Sequence, residues 1–152
     1  MRLLLLILLI TTQGLSNTKE LTLLRTSFDK AVMSEKGAKL FLSTVNPSTS
    51  AIHKGYHAAV TMMMAQYAFS PFKKIDLYNR GKEQLEQCIK ENPDEVELRF
   101  IRYMIQTNSP AFLKYNTSLS KDKQFIEQSL PTLLDTDLKK RMETYFQSKP
   151  KK

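Results

Sequence analysis

The chain has 152 residues, 41% of them hydrophobic and 25% charged, with 23 Lys and Arg against 15 Asp and Glu. That balance is ordinary for a globular domain, and the length allows one domain and leaves two cramped. A single cysteine excludes a disulfide framework and any multi-cysteine zinc or iron–sulfur site, and four glycines with six prolines exclude a low-complexity chain.

Residues 1–16 read as a secretory signal peptide. Arg2 supplies the positive start, Leu3 to Ile10 is an unbroken Leu/Ile run, and Thr11 to Ser16 is a small, polar exit. The apolar run is shorter than the roughly 20 residues needed to span a bilayer. The expectation is export to the periplasm or beyond, with an uncleaved anchor as the alternative. No cysteine follows the run, so lipid attachment there is excluded.

From residue 17 to 148 the pattern is that of a single helical domain. No segment alternates with period two, and Glu, Lys, Leu, Met and Gln dominate. Leu21, Leu24, Phe28 and Val32 fall at helical spacing. Gly37 is expected to break this segment, the next helix carrying Leu40, Phe41 and Val45. Asn46-Pro47 stops it, and the hydroxyl residues after it cap a helix from about Ala51 to Phe69. There Ile52, Tyr56, Ala59, Val60, Met63 and Tyr67 share one side. Of Met62, Met63 and Met64, spacing sends only Met63 squarely inward, and core packing accounts for it as it does for Met33 and Met104.

Ser70-Pro71 starts the return helix, Phe72 to Glu91, with Ile75, Tyr78, Leu85, Cys88 and Ile89 on its apolar face and Glu86 among the residues of its polar face. Gly81 sits on the apolar side, where a missing side chain lets a neighbouring helix approach. Cys88, at the edge of that face, reads as a buried, inert thiol. Asn92-Pro93 is expected to open the next helix as N-cap and first position, with Glu95 reaching back to the cap, and to run to about Gln106. Thr107 to Pro110 ends it, and Ala111 to Tyr115 is a short turn. Ser120 caps a helix with Phe125, Ile126 and Leu130. Pro131 breaks that helix, and Asp135 or Thr136 caps a last one with Leu138, Met142, Tyr145 and Phe146. Residues 149–152 form a basic tail. The expected architecture is all-α: about six helices in antiparallel hairpins, as a repeat-like stack or a bundle.

Gly81, Leu85, Cys88 and Pro93 match the small, bulky, small and closing-proline positions of the second helix of a tetratricopeptide repeat, and the segment resembles one degenerate unit of that family. A wider stretch, about His53 to Ile126, resembles small exported helical proteins of Gram-negative bacteria of unassigned function. That resemblance rests on Glu97 to Asn116 and on Asp122. It implies fold and export and carries no activity.

Two constellations could carry chemistry. His53 and His57 lie one turn apart, about 40° from each other around the helix, as a pair that could chelate a metal. The residue after the first His is Lys54 where a zincin needs Glu, and no third His exists, so two ordinary histidines on a helix shoulder are the simpler account. The second constellation is the helix after Pro93. Glu95, Arg99, Arg102 and Gln106 form one polar stripe, with Glu95 and Arg99 spaced as an ion pair. Glu97 falls on the opposite, apolar side among Val96, Phe100, Ile101 and Met104. A carboxylate there requires an Arg or Lys from another helix, or a Tyr hydroxyl. The candidate binding residues are Glu97, Arg99, Arg102, Tyr103, Gln106, Tyr115 and Asn116, with a structural ion network as the plainer reading.

No nucleophile–base motif and no cofactor motif is visible, and a hydrolase built on His57 is the weakest reading. The lysines are scattered among glutamates, which points away from nucleic acid. The Lys139-Lys140-Arg141 cluster leaves peripheral membrane contact through the last helix open. The expectation is a non-enzymatic interaction module for a protein partner in the cell envelope. The alternative is a carrier of a small apolar or anionic ligand between helices.

Overall fold

In a computed structural model, the backbone is described for residues 2–148 and side chains for residues 17–148. The side chains of residues 1–16, on which the signal-peptide expectation rests, and the tail 149–152 lie outside the described residues. Among these, seven α-helices and three short 3-10 turns follow one another with no strand: α1 (Arg2–Met33), α2 (Glu35–Thr44), α3 (Ala51–Met63), α4 (Pro71–Glu91), α5 (Val96–Asn108), α6 (Leu119–Ser129) and α7 (Thr136–Ser148). No helix among the described residues is long and apolar enough to cross a membrane.

The local signals explain most of the boundaries, and three caps differ from expectation. The first break falls at Ser34, three residues before the expected glycine. Ser34 is extended and its hydroxyl accepts from the Gly37 amide, which caps α2. Gly37 still matters: a Cβ there would collide with the Lys30 carbonyl at the end of α1, so the glycine lets α2 turn back closely. The second correction is at Asn92. It does not open α5; it closes α4, its amide nitrogen donating to the Cys88 carbonyl at 3.0 Å. Pro93 and Asp94 form the connection, and Glu95 is the N-cap, accepting from the Glu97 amide. Asparagine suits either end of a helix, which is why its sequence signal misled. Ser118 precedes α6 in place of Ser120, and Asp135 caps α7 as expected through the Leu138 amide.

Two apolar clusters meet on α5. The larger gathers Leu24, Phe28, Phe41, Tyr56, Leu85 and Leu98 with small residues of α3. The smaller joins Val96 and Phe100 to Ile126, Leu138 and Met142. In the first, α3 and α4 pack closely: a Cβ on Gly81 would lie 2.5 Å from the Ala58 carbonyl oxygen. Gly81 therefore permits the approach read from the sequence. Cys88 is buried, and burial pushes its thiol up, away from the reactive thiolate. Some apolar expectations move. Met62, not Met63, is the fully buried member of the methionine run, because Met63 and Met64 lie where α3 tightens into the 3-10 turn Met64–Tyr67. Met33, Leu40 and Ile75 are exposed rather than core.

Candidate functional site

Glu97 and Arg102 project about 140° apart around α5, and the structure places them in two separate ion networks. Glu97 is buried, as its apolar surroundings implied, and it has both of the alternative kinds of partner that its position called for. Arg25 of α1 grips it with two hydrogen bonds, at 2.7 and 2.8 Å, and the Tyr56 hydroxyl donates to it at 2.8 Å. The same guanidinium reaches Asp135 at 2.8 Å and Asp137 at 2.9 Å. Arg141 extends the chain to Asp137 and Asp29. Burial alone would pull Arg25 down, but its bonds to Glu97 and Asp135 outweigh that and hold it charged, above its ordinary value. Tyr56 is held well up by burial and by the Glu97 charge, so it stays a donor.

On the other flank, Arg102 forks onto Asp122 with two bonds of 2.7 Å and reaches Glu86 at 2.6 Å. The Tyr115 hydroxyl donates to the other oxygen of Glu86. Burial, then Glu86, pushes that phenol up. Arg99 does not pair with Glu95. Its Nε donates to the Pro93 carbonyl, its NH1 lies 3.4 Å from Asp122, and its plane stacks over Phe125. Tyr103 belongs elsewhere, in the second core beside Tyr145 and Phe146. Asn116 is exposed at the turn into α6, and Gln106 is buried with neither amide atom in a hydrogen bond. Of the seven candidates, the structure brings together Arg99, Arg102 and Tyr115, through Asp122 and Glu86. Every carboxylate of these networks already faces a guanidinium.

The histidines do not converge. His53 Nδ1 lies 2.9 Å from the Ser50 hydroxyl and its Nε2 lies 3.4 Å from Glu20. His57 contacts the Leu42 backbone, and burial lowers it below its ordinary value. Among the described residues no group of three or more His, Cys, Asp or Glu is placed to hold a metal ion.

Sequence reading missed two features. Arg25 stands one residue after Leu24 and four after Leu21, a charge in an apolar stripe; that is the signal that singled out Glu97. The other is a cleft of about 750 Å³ between the end of α1, the start of α4 and the end of α5. Phe28, Met62, Met63, Ile105 and Leu113 give it apolar walls. Tyr78 and Ser109, 3.2 Å apart, are among its few polar groups. Phe28, Met104 and Tyr145 separate it from a more polar recess of about 470 Å³ beside Asp137, Lys140 and Arg141. No single helix carries this cleft, so no helical periodicity could reveal it.

Comparison with known proteins gives no match to a family model, to a curated protein or to a solved structure. The described residues form a small all-helical protein.

Proposed function

We propose that the protein is a non-enzymatic binding protein whose cleft takes a small apolar ligand, in an exported, envelope setting. The carrying observation is the cleft itself. Its volume of about 750 Å³ lies within the range of small-molecule pockets, roughly 300–1,000 Å³, and its walls are apolar with a few polar groups to orient a ligand. The networks at Glu97 and Arg102 support this placement by being internally satisfied, which moves the ligand away from them. The leader-like residues 1–16 and the resemblance to exported helical proteins support the envelope setting.

The test is a titration with dansyl-labelled undecanoic acid, which brightens in an apolar environment. Saturable binding is expected, and Ala65→Trp, which fills the cleft from the 3-10 turn, should weaken it by at least about tenfold, the scale of a lost apolar contact. Absence of saturable binding, or an unchanged Ala65→Trp titration, overturns the reading.

A further inference from the structure

Three separate elements that border the cleft also carry exposed apolar side chains. Val32 and Met33 end α1, Phe69 and Phe72 flank the Ser70-Pro71 joint, and Phe112 tips the 3-10 turn Ala111–Leu113. Val32, Pro71 and Phe112 line the same cleft, which fixes these elements to one side of the molecule. The rings are not half-covered core residues: Phe69 is 104% exposed, Phe72 87% and Phe112 79%. Single exposed apolar residues need no explanation, but a group of them on elements that border one apolar cleft does.

The charges beside them are mainly basic. Lys73 and Lys74 follow Phe72, Lys114 stands two residues after Phe112, and Lys30 and Lys36 bracket Met33; all five are exposed. The neighbouring acids are already engaged, Asp76 by Lys73 and Arg80, and Glu35 by Lys39.

We propose that this rim docks on an anionic bilayer surface, with Phe69, Phe72 and Phe112 in the interfacial layer and the lysines at the headgroups. Exposed Phe side chains gain by burial at the boundary of headgroups and acyl chains, and lysines extend from there to anionic groups. The rings belong to the end of one joint, the first turn of α4 and a 3-10 turn, and do not lie along one helix face. A lipid interface accepts such projections without a matching surface, whereas a protein partner would have to supply a pocket for each. The last helix, the sequence-level candidate for membrane contact, buries Leu138 and Met142 in the second core. Its apolar face is turned into the protein. Docking at the rim would open the cleft toward the bilayer, yet it stands independently of whether the cleft takes a ligand.

The chain contains no tryptophan, so one introduced ring is a site-specific reporter even with the N-terminal segment present. In the full chain, Phe72→Trp should shift to the blue on phosphatidylglycerol-containing vesicles and be quenched by brominated acyl chains. It should do neither on pure phosphatidylcholine. Leu134→Trp, 93% exposed before α7 and outside the cleft, should stay water-like. Replacing Lys73 and Lys74 by Gln should weaken the Phe72→Trp response by about fivefold per lysine. A Phe72→Trp emission that stays water-like overturns the proposal and turns the rim toward a protein partner. So does a shift shared equally by both reporters, which would reflect attachment elsewhere. The vesicle-free dansyl titration separates the two ideas, since either can fail while the other stands.

Discussion

Arg25 and Arg102 are both buried guanidiniums forked onto a buried carboxylate, one on each flank of α5, and they hold the fold by different means. Arg25 draws its partners from across the chain, 72, 110 and 112 residues away. Arg102 finds its partners 20 and 16 residues away, on the helices next to α5. The first network sets two cations, Arg25 and Arg141, against four carboxylates; the second sets Arg99 and Arg102 against Asp122 and Glu86. One is long-range and carries excess negative charge. The other is local and balanced. The same chemistry therefore fastens the terminal helices to each other in one case and tightens a local helix cluster in the other.

The largest expected effect tests the long-range network. Arg25→Met strands Glu97 as a buried unpaired carboxylate and should cost about 3–5 kcal/mol in urea unfolding. Adding Glu97→Leu to it should recover much of that loss, because an apolar pair can replace a buried ionic one. Arg102→Met should cost less, about 2–3 kcal/mol, because Arg99 stays near Asp122 and Glu86 is partly open to water. Equal costs would erase the distinction.

Acid should separate the two networks further. Burial would raise Asp135, but the Arg25 hydrogen bond and the Leu138 amide hold it below its ordinary 3.8. Its folded value is depressed, so its contribution is full above 3.8 and is lost as pH falls through the lower folded value. Asp135→Asn should flatten that acid limb of the stability profile, whereas Arg102→Met should leave it. At milder pH the sensitive group is His57, lowered from 6.5 by burial. The unfolded chain binds that proton more readily, so stability should decline as pH drops through 6.5 and level off below the folded value. His57→Gln should remove this decline.

The smallest expected effect lies beside the local network. Gln106 is buried with both amide atoms unbonded, so Gln106→Met should stabilise the fold by about 1 kcal/mol. A loss on that substitution would place the amide in the Arg102 network after all.

The all-helical class was legible because every long segment carried a helical stripe, and the last helix was legible through its Asp135 cap. Glu97 was legible for a stricter reason: a carboxylate among Val96, Phe100 and Ile101 has no solvent route, so a cation from another helix or a Tyr hydroxyl had to meet it. Which cation was not legible, since spacing along one helix says nothing of a partner 72 residues away. Arg102 looked like a solvated stripe because only α6, arriving with Asp122, turns that face inward. The break at Ser34 and the closing role of Asn92 were misread because Gly37 and Pro93 are stronger punctuation in a sequence than in this fold. The cleft escaped because its wall is shared among ends of helices, where periodic patterns stop.

The reach of Arg25 also bears on how the chain is made. Synthesis runs from the N-terminus, and domains begin folding as they emerge. Arg25 meets Glu97 once α5 is out, but it waits for two of its three carboxylates until the chain has reached Asp137. Leu138 and Met142, which complete the second core, arrive at the same moment. A chain halted before Asp135 would leave the Arg25 guanidinium short of two hydrogen-bond acceptors and α5 without its second-core cover. The last helix thus acts as a checkpoint for completeness, and a truncated product should be the preferred target of a protease that samples open chains.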